Sequence, residues 1–132
     1  MRETTVAFET ESPLPFSEAV ARAREALARE GFGVLTEIDV QATLKTKLGV
    51  ERDPFLILGA CHPPSAHAAL NVAPEVGVLL PCNVTVSVEQ GRTVVRAMNP
   101  GGALGMVGKP GLVPISEHVA AALRRVVASC ER

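Results

Sequence analysis

Residues 54–88 carry a single formal charge, Glu75. A small soluble domain cannot spread so long an uncharged stretch over its surface, so the stretch has to form the centre, a contact between subunits, or both. We expect both, with a symmetric homodimer as the commonest closed assembly. Residues 54–60 (PFLILGA) are almost continuously apolar and short, which suits a buried strand. Cys61-His62-Pro63-Pro64 interrupts the run, and the Ala-rich residues 65–70 fit one or two helical turns. Residues 76–80 are another apolar run, stopped by Pro81. Val84, Val86 and Val88 then alternate with Asn83, Thr85 and Ser87, as in a half-buried strand. Gln90-Gly91 joins that strand to residues 93–98 as a hairpin.

The flanks read as longer elements. Residues 2–9 hold Thr4, Thr5, Val6 and Phe8, a first strand. Phe16, Val20, Ala23 and Leu27 recur at helical spacing, with Glu18, Arg22, Glu25 and Arg29 on the other face. Pro15 suits that helix's first turn and Gly31 its left-handed end. Residues 34–40 follow as a strand, with Val34, Thr36, Ile38 and Val40 towards the helix and Leu35, Glu37 and Asp39 away from it. Residues 42–48 suit a short helix stopped by Gly49. Residues 99–114 hold five glycines and three prolines and are expected to form a loop. The last helix is expected to start near Ser116 as cap, with Ile115, Val119, Leu123, Val126 and Cys130 as its apolar stripe. The order places this single domain, residues 1–132, in the α+β class with a mostly antiparallel sheet.

Composition excludes several function classes. The net charge is −1, which leaves no broad basic face for nucleic acid or an anionic membrane. Four Phe and no Tyr or Trp provide no stacking platform for single strands. No stretch is long and apolar enough for a membrane span, and MRETTVAFETESP lacks the pattern of a secretion signal. Three cysteines, Cys61, Cys82 and Cys130, then read as free cytoplasmic thiols. Ten arginines to three lysines, with five Asn plus Gln, resemble a heat-adapted composition.

The chemistry-bearing residues fall into three groups. Cys61 ends one expected strand and Cys82 begins another. With His62 they can bind a metal such as zinc, form a reversible disulfide, supply one reactive thiolate, or simply pack as small hydrophobes. Asp39 with Lys45 and Lys47 can orient a polar ligand or form a solvated ion pair. GGALGMVGKPG lacks both the P-loop pattern and the dinucleotide fingerprint, and is expected to be a flap or a surface loop. His67 and His118 read as ordinary surface or hydrogen-bonded residues rather than ligands, and Cys130 as packing.

Three stretches, GFGVLTEIDVQATLKTKLGVE (31–51), FLILGACHPPSAHAAL (55–70) and VGVLLPCNVTV (76–86), are in this order and spacing similar to the prokaryotic family known as domain of unknown function 302. The resemblance implies a β-α-β(4)-α fold of the TATA-binding-protein-like type and no particular activity; fold alone does not carry DNA binding. The family's recurrent polar positions map onto Asp39, Lys47, Cys61, Cys82 and Asn83. His62 stands where that pattern has Asn. The resulting expectation is a homodimeric domain that binds a small ligand or a metal ion in a cleft of Asp39, Lys47, Cys61, His62, Cys82 and Asn83. The alternatives are a thiol enzyme or redox protein using Cys61 or Cys82, and an interaction module that presents the charge-poor middle.

Overall fold

The computed structural model describes residues 1–132. Its centre is a six-stranded antiparallel sheet. The strands are β1 (Arg2–Glu3), β2 (Ala7–Ser12), β3 (Gly33–Asp39), β4 (Phe55–Cys61), β5 (Cys82–Glu89) and β6 (Arg92–Met98), in the spatial order β1-β2-β6-β5-β4-β3. Two long helices, α1 (Phe16–Arg29) and α5 (Val113–Ser129), cover one face. Three shorter helices are α2 (Val40–Leu48), α3 (Pro63–Val72) and α4 (Pro100–Gly105). The architecture is thus the expected α+β one, with the β-α-β(4)-α order at its heart.

The charge-poor middle forms the centre because alternation in β4 and β5 gives both strands an apolar face. Leu56, Leu58 and Ala60 from β4 meet Cys82, Val84 and Val86 from β5 in one core with Leu27, Phe32, Leu123 and Val126 from the helix side. The opposite face of β2 and β6 is charged. There Arg96 donates to Glu9 at 2.8 Å and to Glu89 at 2.5 Å. The Arg96 guanidinium bonds to Glu89, together with one from the Ser87 hydroxyl, hold the Glu89 carboxyl down at about 2.

The hairpin turn forms where expected, with Gln90 and Gly91 both at positive φ (53° and 78°), the backbone that a two-residue turn between twisted strands demands. Four elements differ from the sequence reading. The first strand is split by a turn at Thr4, whose hydroxyl accepts from the Val6 and Ala7 amides. Residues 34–40 were expected to bury one face, but β3 is an edge strand, and the bulge between Val34 and Thr36 reverses the alternation there. Only Val34 packs on the core. Residues 99–114 are not a loop: they contain α4 and a 3-10 turn at Pro110–Leu112. The last helix starts at Val113 rather than near Ser116, because Pro114 fits its first turn, and Ser116 is buried inside it.

Candidate functional site

The strand pairing separates the six side chains expected to converge. Cys61 and Cys82 do come together: Ala60, next to Cys61, pairs opposite Cys82 at the start of β5. His62 follows directly, its Nδ1 2.7 Å from the Ser65 hydroxyl and its ring 5.4 Å from Phe32 and 5.7 Å from His118. Asp39 lies at the other end of β3 from Gly33, the residue that pairs with Cys61. Six strand residues span roughly 20 Å, too far for a shared ligand of a few atoms. There the Asp39 carboxylate caps α2, accepting from the Ala42 amide at 2.9 Å. Lys47 is exposed on α2. Asn83 is exposed and paired opposite Gly59, and alternation along β5 turns it away from the face that holds Cys82.

Cys61, His62 and Cys82 share a small hollow between the sheet end, α3, α4 and α5, walled further by Met98, Leu104 and Val119. Its volume is about 30 Å³, enough for one or two water-sized groups and no more. No group of three or more His, Cys, Asp or Glu side chains is placed to hold a metal ion. Zinc asks for three or four converging protein ligands, and Cys61, His62 and Cys82 are not placed as such a set in this structure.

Burial, reinforced by the neighbouring Cys61, raises the Cys82 thiol to about 11. Burial also raises Cys130, whose sulfur contacts the Val126 carbonyl at 3.5 Å. A thiol at about 11 is ionised to roughly one part in ten thousand at pH 7, so Cys82 is a poor nucleophile in the folded state. In native protein at pH 8, iodoacetamide is expected to modify Cys82 at least about 100-fold more slowly than in unfolded chain, the rate climbing with pH towards 11. Peptide mapping by mass spectrometry reads this directly, and a Cys82 rate that levels off near pH 7 would contradict it.

A second, much larger hollow lies where the loop was expected. It is an open cleft of about 630 Å³ between the glycine-rich segment, β1 and α5. Asn99 builds its rim. The Asn99 amide donates to the Val6 carbonyl at 2.8 Å, and its side chain donates to the Thr4 carbonyl at 2.9 Å while accepting from the Gly101 amide at 3.0 Å. This pins the start of α4 to the β1–β2 turn. Gly102 makes that approach possible, because a Cβ there would sit 1.9 Å from the Thr5 carbonyl oxygen. Gly105, at the end of α4, faces open space within the cleft wall.

The opposite wall is α5. Ser116 is only 7% exposed. Every fully buried side-chain nitrogen and oxygen has a partner; the Ser116 hydroxyl makes none within the chain, so it stays open to the cleft it lines. Arg124 also lines the cleft, paired with Glu3 at 2.7 Å and lying 4.7 Å over the Phe8 ring. Lys109 and Glu117, both at the cleft, take part in none of the ion pairs. The first turn of α5 has no acidic side chain and no side-chain cap; its Val113 amide is bonded to the Pro110 carbonyl, and Pro114 has no amide hydrogen. Leu104 of α4 walls both hollows and separates them. Sequence reading missed this cleft, although Asn99-Pro100 is a cap-and-first-turn signal.

A family model described as domain of unknown function DUF302 matches residues 8–130. A crystal structure described as that of the uncharacterized conserved protein DUF302 from Bacillus stearothermophilus is similar over 94% of this chain and 97% of that one, with 31% identity and a TM-score of 0.88. No curated protein matches the chain. No helix is long and apolar enough to cross a membrane.

Proposed function

This chain belongs to the family described as domain of unknown function DUF302, and we propose that it is a small-molecule binding domain whose ligand occupies the cleft between α4 and α5. The observation that carries this reading is the pairing of a cleft of about 630 Å³ with Ser116 on its wall, a residue only 7% exposed whose unpartnered hydroxyl opens into that cleft. That volume lies in the range of small-ligand pockets, whereas the thiol hollow is some twentyfold too small for a metabolite.

The lining selects the chemistry. An unpaired ammonium at Lys109 and an open hydroxyl at Ser116 favour an anionic group, a carboxylate or a phosphate. Glu117 would repel a second anionic group but accepts a hydrogen bond from a hydroxyl or amine of the same ligand. Arg124, already neutralised by Glu3, contributes shape more than charge. The ligand class is therefore a small hydroxy or amino acid, or its phosphate ester. Asp39, Lys47 and Asn83 stand apart from this cleft, and the cysteines lie behind Leu104. Three free thiols suit residence in a reducing compartment such as the cytoplasm.

A thermal-shift panel of hydroxy acids, amino acids and phosphate esters, with choline as cationic control, tests the proposal. Anionic members are expected to raise Tm and choline is not. Lys109→Gln, at an exposed position, is expected to weaken the best hit about tenfold, or about 1.4 kcal/mol. Stabilisation by no anionic member, or equal affinity in Lys109→Gln, would overturn it.

A further inference from the structure

No residue from 33 to 55 is buried, although the segment contains the whole of β3 and α2. A nine-residue helix does not hold its shape in water unaided; helices this short persist because they pack. In α2, however, no side chain is buried. The outer edge of β3 likewise has no strand beside it. Large apolar side chains accompany these unpaired elements: Leu35 is 67% exposed, Ile38 47%, Leu48 70% and Val50 44%.

We infer that a second copy of this chain covers the β3–α2 unit, making the protein a two-fold homodimer through this surface. Three features favour a copy over a foreign partner. First, the segment's length matches the roughly 20–30 residues that each side gives to a stable interface. Second, the unit carries both signs of charge in near balance, Glu37, Asp39, Glu51 and Asp53 against Lys45, Lys47 and Arg52, so two copies meet without net repulsion. Three of these charges are already satisfied within the chain, Glu37 by Arg24, and Lys45 and Glu51 by each other. Third, an antiparallel sheet edge is its own complement under a two-fold axis, and a closed pair removes an edge that would otherwise invite open-ended association. Of the charge-poor stretch also expected to supply a contact, the inward faces of β4 and β5 go to the core, while Leu70, Val72 and Val78 remain exposed. This surface is separate from the ligand cleft, so either proposal can fail without the other.

Light scattering on a sizing column, across a hundredfold range of concentration, provides the test. The wild-type chain is expected to run at twice its 13.8 kDa mass. Ile38→Glu and Leu48→Lys change side chains that the folded monomer leaves exposed, so circular dichroism should be unchanged. Each is expected to raise the dimer Kd at least tenfold. Val78→Lys, at a position 87% exposed outside the segment, is expected to leave the dimer intact. A wild-type monomer at every concentration overturns the inference. So does a dimer indifferent to both segment variants, or one broken only by Val78→Lys.

Discussion

Replacing Gly102 by alanine is expected to destabilise the domain by about 2–3 kcal/mol, the cost of forcing a methyl group into a filled space. The added carbon would lie 1.9 Å from the backbone oxygen of Thr5, and backbone yields far less readily than the tip of a side chain. Relief requires α4 to lift away from the β1–β2 turn, which would stretch the Asn99 bonds to Thr4 and Val6. Gly105→Ala is the control. Three positions along the same helix, its new carbon meets nothing, and alanine's better helix propensity is worth up to about 1 kcal/mol. Urea midpoints should therefore move in opposite directions. Equal midpoints for the two variants would mean that α4 is not held against the turn as described.

Gly105→Leu is expected to reduce binding of an anionic ligand at least about 100-fold, or about 2.7 kcal/mol, with little change in stability. Gly105 borders the cleft and the space beyond it is empty, so a leucine side chain grows into the volume a ligand needs. The mechanism is occlusion, and it should act on every ligand of the site, whereas Lys109→Gln should discriminate by charge. Titration calorimetry with the best anionic ligand separates the two effects. Undiminished affinity in Gly105→Leu would place the ligand elsewhere.

How far the sequence was legible follows from what kind of signal each region carries. Alternation in β5 and helical spacing in α1 and α5 are local patterns, and both survived folding because each element buries one face against the sheet. The Gln90-Gly91 turn was readable because few residues tolerate its backbone. Residues 34–40 misled because a single bulge at an edge strand reverses every face beyond it, and nothing in Val34-Leu35-Thr36 announces one. The glycine-rich segment misled in another way. Its glycines suggested freedom, but Gly102 is there for close approach to Thr5, and Asn99 and Pro100 start a helix.

The candidate site was legible only in part. Cys61 and Cys82 lie at ends of strands that the hydrophobic pattern marks, so their proximity could be anticipated from chain order. Asp39 and Lys47 could not be placed without the register, which sets them at the far end of β3. Ser116 looked like a helix cap, yet the helix starts three residues earlier and turns that hydroxyl towards the cleft. Composition alone could not signal a hollow that four glycines help to open.

The most direct test of the ligand cleft is amide chemical-shift mapping of isotope-labelled protein titrated with the best anionic compound from the thermal panel. The expected result is a saturable set of shifts at Gly101, Gly105, Gly108, Lys109 and Ser116, with Gly59 and Asn83 unmoved. Shifts centred on Cys61, His62 and Ser65, or none at millimolar ligand, would contradict the assignment.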